Sequence, residues 1–322
     1  MAWSLIADIG GTNMRLASAI DGKISASRTF PTVGKSSVRE SVISFIEDPG
    51  SYPDQVAIAA AGIVNDGSVT LTNTGTRISE SELKEICHTD NATILNDFEA
   101  AAWSLADVSQ DDILTLQGDD ALVKKARLII GPGTGLGVGA LVWQNGQPVV
   151  VEGEGGHVRL SPDTADELEI FKELGLIWPE TSMGDGYAVE AEAVLSGTGL
   201  PFFYAAIAAT SNSKLTPRKA SEIFALAKAK SDMIAVKTIH LFVKYLGELA
   251  GDMGTTFAAR GGVFLAGGVI AANPWIFDDP AFLTAFNSGG RHSDFRKQLP
   301  VYLYQNSQFG LIGALNYLLY SK

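Results

Sequence analysis

The segment that most constrains this chain lies near its start, where Asp8-Ile9-Gly10-Gly11-Thr12-Asn13 interrupts an apolar run before apolar residues resume. This pattern predicts a strand, a tight turn and a second strand. Because Gly10 and Gly11 lack Cβ atoms, their N–H groups and the Thr12 hydroxyl can approach the oxygens of a polyphosphate. A simple hairpin turn has the same pattern, and this segment alone does not separate the two interpretations.

Two charged residues flank this turn. Asp8 stands where a nucleotide-bound Mg²⁺ ion would be, and one carboxylate suffices because Mg²⁺ takes oxygen ligands and keeps several waters. Arg15 is the only cation of the opening turn in a chain of net charge −12. We therefore expect Arg15 to help neutralise the transferring phosphate group.

The composition narrows the classes of protein and partner. A length of 322 residues with 46% hydrophobic residues is enough for a large core and suggests two domains. With 24 Lys and Arg against 36 Asp and Glu, the chain repels nucleic acid and anionic membranes, so neither is an expected partner. The apolar runs are too short to span a bilayer. Cys87, the single cysteine, excludes an intramolecular disulfide and a multi-cysteine zinc site, which is consistent with a cytoplasmic protein.

A second polar pair follows a later strand. The short apolar run 93–95 predicts a strand that delivers Asn96 and Asp97 to the start of a helix. Open α/β sheets bind ligands at the carboxyl ends of their strands, which favours a functional role. Asn96 with Glu99 three residues later also fits a helix capping pair, so a structural role for Asn96 is equally well supported at this point.

The strand and glycine turn recur about 120 residues later in Leu128-Ile129-Ile130-Gly131-Pro132-Gly133-Thr134-Gly135-Leu136-Gly137. An internal duplication of this kind carries more weight than either segment alone. The glycine spacing does not match the dinucleotide-binding fingerprint, and the following residues predict a strand instead of a helix, which disfavours a Rossmann site. The repeat instead predicts two phosphate-binding turns.

Four further segments complete the pattern. Glu152-Gly153-Glu154-Gly155-Gly156-His157 is a poor core segment and predicts polar ligand contacts. Residues 187–195, which contain Glu192, predict a helix, and residues 232–259 predict a long amphipathic helix. Residues 261–269 predict a buried strand ending in Gly267-Gly268, a turn that admits a flat ring against backbone.

Five segments together resemble the bacterial glucokinases, a branch of the sugar kinase, actin and heat-shock ATPase superfamily, over nearly the whole chain. The resemblance implies an α/β, two-lobed actin-like ATPase fold of the ribonuclease H-like type, with a duplicated core and a cleft between the lobes. It further implies a small lobe of residues 1–107, completed by 300–322, and a large lobe of residues 108–299. The five segments are Asp8 to Asn13, Leu95 to Phe98, Gly133 to Gly137, Glu152 to Val158 and Ala266 to Val269.

The resemblance also implies roles for individual residues. It makes Asp97 the general base, and it assigns Asn96, Glu154, His157 and Glu192 to the hydroxyl groups of a sugar. Asp8 is the predicted metal-binding residue, with Mg²⁺ as the ion. The residues expected to bind ATP, including Asn13 and Arg15 beside the first turn, are Ala7, Asp8, Ile9, Gly10, Gly11, Thr12, Asn13, Arg15, Gly133, Thr134, Gly135, Gly267 and Gly268.

The function predicted on this basis is ATP-dependent phosphorylation of a hexose, with D-glucose converted to glucose 6-phosphate as in glycolysis. The alternatives are a non-catalytic sugar or nucleotide sensor on the same fold, a kinase for a different hexose, and a chaperone-like or filament-forming ATPase. Ala7 replaces a glycine common in the family, and the tryptophan usual after Asn73 is absent, which leaves the preferred hexose open. The assembly state is also open, with a homodimer as one alternative.

Overall fold

The structure of the protein is a computed structural model that describes residues 2–10, 13–32, 38–47, 51–71, 75–119, 121–211 and 217–321. Within these ranges, no helix combines the length and the apolar character needed to cross a membrane.

The strands are, in chain order, β1 (Ser4–Ile9), β2 (Asn13–Ile20), β3 (Lys23–Pro31), β4 (Gln55–Ala60), β5 (Val64–Asn65), β6 (Ser68–Thr70), β7 (Arg77–Ser79), β8 (Ala92–Asn96), β9 (Ile113–Gln117), β10 (Arg127–Pro132), β11 (Leu136–Gln144), β12 (Gln147–Val151), β13 (Arg159–Leu160), β14 (Ser182–Met183), β15 (Ala188–Glu190), β16 (Gly262–Leu265) and β17 (Val301–Tyr304). The α-helices are α1 (Val38–Glu47), α2 (Glu80–Cys87), α3 (Asp97–Ser104), α4 (Ala165–Ile177), α5 (Ala191–Val194), α6 (Leu200–Thr210), α7 (Ala220–Lys228), α8 (Met233–Thr256), α9 (Gly268–Ala272), α10 (Ala281–Phe286), α11 (Ser293–Arg296) and α12 (Phe309–Tyr320).

The chain folds into two compact units. Unit 1 contains Met1–Ser109, Gly139–Glu152 and Asn306–Lys322, and unit 2 contains Gln110–Val138 and Gly153–Gln305. This division differs from the lobe boundaries expected from the sequence, because Gly139–Glu152 packs with unit 1. The lobe boundaries themselves stay a prediction, with a small lobe of residues 1–107 completed by 300–322 and a large lobe of residues 108–299.

A five-stranded sheet in the order β3-β2-β1-β4-β8 forms the centre of unit 1. β1, β2 and β3 pair antiparallel, as the short turns of the sequence predict, whereas β1, β4 and β8 pair parallel. Side chains alternate between the two faces of a strand. On one face Leu5, Ala7 and Ile9 belong to a core that includes apolar residues of α1 and α2. On the other face Ile6 and Ala57 lie in a core with Leu311, Ala314 and Leu318 of α12.

Unit 2 is organised around two parallel strand pairs and one long helix. β10 pairs parallel with β16, β16 pairs parallel with β17, and β9 adds an antiparallel edge strand. α8 confirms the predicted long helix, with Phe242, Leu246 and Leu249 buried. An ion pair of 2.7 Å between Lys244 Nζ and Glu167 Oε1 joins α8 to α4.

The two units repeat one plan, which confirms the duplication expected from the sequence. In each unit a glycine-containing turn joins a first strand to the next, β1 to β2 and β10 to β11. The first strand pairs parallel with a later one, β4 or β16, which in turn pairs parallel with a third, β8 or β17. A helix then follows the third strand in both repeats, α3 after β8 and α12 after β17, but α12 itself belongs to unit 1.

One predicted element is wrong. Residues 187–195 do not form a single helix, because Ala188–Glu190 forms β15 and only Ala191–Val194 is helical. β15 pairs antiparallel with its near neighbour β14 and with β13, which is distant in sequence, and this backbone pairing outweighs the local helical spacing of the apolar residues. The change matters because it places Glu190 at the end of a strand and Glu192 in the first turn of α5.

The packing of α12 on α3 depends on Gly313. A Cβ atom at this position would overlap the carbonyl oxygen of Ala100, so only glycine permits the observed approach of the two helices. We expect Gly313→Ala to lower the free energy of unfolding by about 1–3 kcal/mol, because the overlap exceeds any gain in helix propensity. Thermal unfolding followed by circular dichroism measures the effect. The matched control is Gly153→Ala, where a Cβ atom meets no neighbour within 4 Å. Equal melting temperatures for Gly313→Ala and the unsubstituted protein would show that the helices can separate without cost.

Candidate active site

The first glycine turn closes the hairpin between β1 and β2. The N–H of Gly10 donates to the Asn13 carbonyl at 3.0 Å, and the Thr32 hydroxyl donates to the Gly10 carbonyl at 2.9 Å. The predicted contacts of Gly11 and Thr12 lie outside the described residues. Ala7 and Ile9 are buried in the core, so only their backbone groups can face a ligand. The hairpin geometry is therefore confirmed, while the binding of phosphate at this turn stays a prediction.

Asp8 lies on the opposite face of β1 from Ala7 and Ile9, toward α12. Its carboxylate occupies the space where a Cβ atom of Gly310 would lie, with Asp8 Cγ 2.6 Å from that position. Burial raises the pKa of Asp8, and the positive charge of Arg15 opposes this effect only in part. A divalent cation at this carboxylate would compensate the cost of burying its charge. Because Mg²⁺ draws most of its ligands from water and substrate phosphates, one carboxylate fits such a site.

Arg15 lies directly across the hairpin from Asp8. Its Nη1 atom donates to the carbonyl oxygen of Ser307 at 2.9 Å, which joins β2 to the segment preceding α12. The guanidinium therefore has a fixed structural contact in addition to its electrostatic contact with Asp8. The guanidinium has five N–H donors, and a role of Arg15 toward phosphate stays a prediction.

Asn96 is the N-cap of α3. Its Oδ1 accepts hydrogen bonds from the N–H groups of Phe98 and Glu99, at 2.8 and 3.3 Å, and its Nδ2 donates to the Gly62 carbonyl at 3.0 Å. The Glu99 carboxylate accepts from the Asn96 N–H, which completes the capping box. The capping interpretation of Asn96 is thus confirmed. These bonds fix the backbone around Asp97, the first residue of α3, whose Oδ1 accepts from the Phe98 N–H at 3.1 Å.

The parallel strands of unit 1 bring these residues to one edge of the sheet. β1 ends at Ile9, β4 ends at Ala60 and β8 ends at Asn96, and the register aligns Ile9 with Ala60 and Ala60 with Asn96. The Ala61 N–H donates to the Ile9 carbonyl at 3.2 Å, which extends the alignment beyond the strands. Asp97 and the Gly10 turn therefore share the carboxyl edge, where open α/β sheets bind their ligands.

The second glycine turn, in unit 2, is held by backbone and carboxylate contacts. The Gly133 carbonyl accepts from the Gly197 N–H at 2.8 Å, and the Thr134 carbonyl accepts from the Thr198 N–H at 3.1 Å. The Leu136 N–H donates to Glu192 Oε2 at 2.8 Å. A Cβ atom at Gly135 would lie 2.6 Å from that same carboxylate oxygen. Glu192, predicted to bind sugar, thus also orders the turn predicted to bind ATP.

Gly267 brings a third glycine segment to this turn. It has a φ of +92°, and a Cβ atom there would lie 2.5 Å from the Pro132 carbonyl oxygen. The Ala266 N–H donates to the Ile130 carbonyl at 2.9 Å, so the segment follows the parallel pairing of β10 and β16. A Cβ atom at Gly268 would meet nothing within 4 Å, which leaves space beside the backbone. Gly133 to Gly135 and Gly267-Gly268 therefore meet at the carboxyl edge of the unit 2 sheet.

A 3₁₀ turn, Gly155–His157, packs on the start of β11. Glu154 directly precedes this turn, and His157 is its last residue. A Cβ atom at Gly156 would overlap the Leu136 carbonyl oxygen, so this close approach requires glycine. His157 Nε2 lies 3.9 Å from Glu154 Oε2, and His157 Nδ1 is in hydrogen-bond contact with Glu190 Oε1. The structure thus brings Glu154, His157 and Glu192 together in unit 2, whereas Asn96 and Asp97 belong to unit 1.

Sequence reasoning missed two acids beside these residues. Glu190 was hidden by the incorrect helix over residues 187–195, although a carboxylate so close to Glu192 was a visible signal. Glu99 was identified only as a capping residue. Burial, followed by repulsion from Glu152, raises the pKa of Glu99 to about 7. Glu99, which changes charge near neutral pH, therefore lies two residues after Asp97 in the first turn of α3.

Comparisons with known proteins agree with this architecture. The Glucokinase family model matches residues 5–320. The chain belongs to the glucokinase family. A curated glucokinase from Chelativorans sp. strain BNC1 is 35% identical over 317 residues, which cover 97% of this chain and 90% of that protein.

Solved structures of glucokinases also match. A glucokinase from an Antarctic psychrotroph has a TM-score of 0.86 and 29% identity and covers 99% of both chains. A glucokinase from Balamuthia mandrillaris, solved in complex with glucose, has a TM-score of 0.79 at 23% identity, with 98% of this chain and 92% of that chain covered.

Membership of the glucokinase family confirms the predicted activity, ATP-dependent phosphorylation of glucose. It also confirms the predicted α/β actin-like sugar kinase fold with its duplicated core. The assignment of individual residues to glucose, ATP and metal rests on the geometry of each unit and is developed below as a proposal.

Glu99 generates a prediction for the pH dependence of stability. Its folded pKa of about 7 lies above the ordinary value of 4.5, so between these values the folded chain binds a proton that the unfolded chain has lost. The stability contributed by this group is therefore lost as the pH rises through that window. Glu99→Gln removes the titration and keeps the capping box, since Gln also serves at this position. We expect its melting temperature, relative to the unsubstituted protein, to rise between pH 5 and pH 8.

The control for this measurement is Glu180→Gln, which removes an exposed carboxylate of unit 2. Its melting temperature should follow that of the unsubstituted protein across the same pH range. If Glu99→Gln also followed it, the carboxyl of Glu99 would ionise at the same pH in the folded and unfolded states.

Proposed function

We propose that this glucokinase transfers the γ-phosphoryl group of ATP to a hexose hydroxyl with Asp97 as general base. The observation that carries this proposal is the position of Asp97 at the carboxyl edge of the unit 1 sheet, the same edge as the Gly10 turn, on a backbone fixed by the cap of Asn96. A base must be held in place to accept a proton within hydrogen-bond distance. The capping box supplies that rigidity, and its cap residue is Asn96, not Asp97.

The proposed sugar-binding residues offer complementary hydrogen-bonding groups. A sugar hydroxyl both donates and accepts, so carboxylates, an amide and an imidazole can hold several hydroxyls in one orientation. Asn96 has its Oδ1 engaged by the helix cap and its Nδ2 by Gly62, so its contribution to hexose binding is chiefly to position Asp97. Glu154 and His157 are exposed in unit 2 and supply the direct contacts, with Glu192 ordering the adjacent turn.

The nucleotide is proposed to bind at the glycine turns. In unit 2 the turn Gly133 to Gly135 and the space beside Gly268 offer backbone to the phosphates and a flat surface to the base. In unit 1 the Gly10 turn lies at the carboxyl edge, with Asn13 exposed beside it. Asp8 would hold Mg²⁺, which when bound neutralises charge on the phosphate oxygens.

The proposed chemical step needs no covalent enzyme intermediate. The hexose 6-hydroxyl oxygen bonds to the γ-phosphorus while the bond from that phosphorus to the β–γ bridging oxygen breaks, so ADP leaves with the bonding electrons. The hydroxyl proton passes to the Asp97 carboxylate. Arg15 is proposed to stabilise the charge on the transferring group from its position across the hairpin from Asp8.

Cellular context and assembly belong to the same proposal. A cytoplasmic location is supported by the single cysteine, Cys87, which is buried and whose pKa is raised by burial to about 11, so its thiol stays protonated. A homodimer is one assembly state for analytical ultracentrifugation to examine. Glucose is the proposed acceptor, although residues 72–74, beside the position of the missing tryptophan, lie outside the described residues.

A hexose panel tests the acceptor. With Mg²⁺ and ATP, we expect glucose-dependent release of ADP, with glucose preferred over mannose, fructose and amino sugars by the ratio kcat/KM. ATP hydrolysis that does not depend on sugar would indicate a chaperone-like ATPase instead. Hexose binding by calorimetry without ADP release would indicate a sensor. A preference for another hexose would correct the acceptor and leave the proposed base intact.

Asp97→Asn separates the catalytic role of Asp97 from a structural one. Asn is as good as Asp near a helix N-terminus, so we expect the melting temperature to change little. Loss of the base should lower kcat roughly 10²- to 10⁴-fold. Hexose binding should be affected less, since an amide still forms hydrogen bonds with a hydroxyl.

The matched control is Asp90→Asn, an exposed Asp in the loop before β8 of the same unit. It should retain the kcat of the unsubstituted protein. If Asp97→Asn melted normally and kept more than about a tenth of the original kcat, Asp97 would not be the general base. Glu154 would then be the next residue to examine.

A further inference from the structure

The contact between His157 and Glu190 is set by the pairing of two short strands. β13 and β15 run antiparallel with Arg159 opposite Glu190 and Leu160 opposite Val189. The Ala191 N–H donates to the Val158 carbonyl at 2.8 Å, which continues this pairing one step toward His157. Backbone pairing at Val189 and at Ala191, on either side of Glu190, therefore places Glu190 beside the imidazole. The Oε1 atom of Glu190 contacts His157 Nδ1.

The side chain of Glu190 has no capping role in the helix that follows. Glu190 is the N-cap residue of α5, but its carboxylate makes no hydrogen bond to the N–H groups of that helix. The side chain is 19% exposed, whereas that of His157 is 50% exposed. Glu190 is thus the more buried member of the pair, and half of the His157 side chain stays exposed to a ligand.

The charges around His157 are mostly negative. Glu190 contacts Nδ1, Glu154 Oε2 lies 3.9 Å from Nε2, and Glu192 follows on α5, while Arg159 on β13 is the basic residue of this strand pair. The contact with Glu190 is the largest cause of a raised pKa of His157, partial burial opposes it, and the charges of Glu192 and Glu154 add to it. The protonated imidazole is therefore favoured over a wider pH range than for an isolated histidine.

We propose that Glu190 is a positioning residue that keeps His157 protonated and orients its ring, so that Nε2–H is presented as a hydrogen-bond donor to a hexose hydroxyl. This inference rests on the proposed role of His157 in hexose binding. It adds to that role the atom that donates, the charge state in which it does so and the residue responsible.

The chemistry of imidazole gives the inference a clear consequence. In the protonated ring both nitrogens donate, one to Glu190 and one to the sugar. When the ring loses a proton, Glu190 retains the Nδ1–H and Nε2 becomes an acceptor, so the donor to the sugar is lost. Hexose binding should therefore weaken as the pH rises through the pKa of His157, while the position of the ring stays the same.

Glu190→Gln tests this inference, because Gln keeps the length of the side chain and an oxygen that can accept from Nδ1–H but removes the charge. We expect the His157 pKa, measured by imidazole NMR without sugar, to fall in this variant. The alkaline limb of kcat/KM for glucose should move to lower pH in the same direction. At a pH between the alkaline limb of the variant and that of the unsubstituted protein, the variant should have a KM for glucose on the order of tenfold higher. This is the usual effect of losing a hydrogen bond to a charged group.

Two comparisons exclude a general structural effect. Glu180→Gln removes an exposed carboxylate elsewhere in unit 2 and should change neither the His157 pKa nor the pH profile. At a pH below the alkaline limbs of both proteins, Glu190→Gln should have nearly the KM of the unsubstituted protein, because His157 is then protonated in the variant as well. A KM raised equally at every pH would instead mean that Glu190 only supports the backbone, which would overturn the inference.

The remaining outcomes distinguish this inference from the proposed function. An unchanged His157 pKa in Glu190→Gln, or a neutral ring with the proton on Nε2 in the unsubstituted protein at pH 7, overturns the pairing itself. The second measurement needs no variant and stands even if Glu190→Gln does not fold.

A lowered His157 pKa with an unchanged pH profile overturns the link to hexose binding, while glucose phosphorylation stands. Failure of the unsubstituted protein to phosphorylate any hexose overturns the proposed function, and the NMR titration still decides the pairing.

Discussion

Parallel pairing of strands is the constraint on which the rest of this structure depends. Because β1, β4 and β8 run in the same direction, their carboxyl ends meet at one edge, which carries the Gly10 turn after β1 and Asn96 and Asp97 at the end of β8. The parallel pair β10 and β16 does the same in unit 2 for the glycine segments that end at Gly135 and begin at Gly267. Parallel strands require crossover connections, so residues far apart in the chain become neighbours at these edges.

Close backbone approach is the second constraint, and glycine makes it possible. At Gly156 and Gly267 any Cβ atom would overlap or crowd a carbonyl oxygen of the neighbouring strand or turn. These contacts bring the segment of His157 against the start of β11 and the Gly267-Gly268 pair against the end of β10.

Charge in the candidate site is arranged against the overall field of the protein. A chain with net charge −12 repels ATP at a distance, so local groups must hold the phosphates. Burial beside Gly310 raises the pKa of Asp8, and the positive charge of Arg15 lowers it only in part, so a further cation would stabilise the ionised carboxylate. Glu99 and His157 both have raised pKa values, Glu99 chiefly because of burial and His157 because of a carboxylate partner. Both groups therefore hold a proton up to a higher pH than they would in water.

The sequence by itself determined the elements and motifs that depend on near neighbours. The apolar runs of β1 and β2, the spacing of Phe242, Leu246 and Leu249 in α8, and the capping pair of Asn96 and Glu99 are each visible within a short stretch of sequence. The repeated glycine turns were visible too, and with them the family.

Tertiary structure alone decided which side chains touch across the chain. Residues 187–195 have helical spacing, yet Ala188–Glu190 forms a strand, because backbone pairing with the distant β13, together with the nearby β14, outweighs a weak local preference. Glu190 reaches His157 from 33 residues away, and Asp8 meets Gly310 from the other end of the chain. No local pattern encodes such contacts, since they arise from strand register and close packing, which exist only once the whole unit has folded.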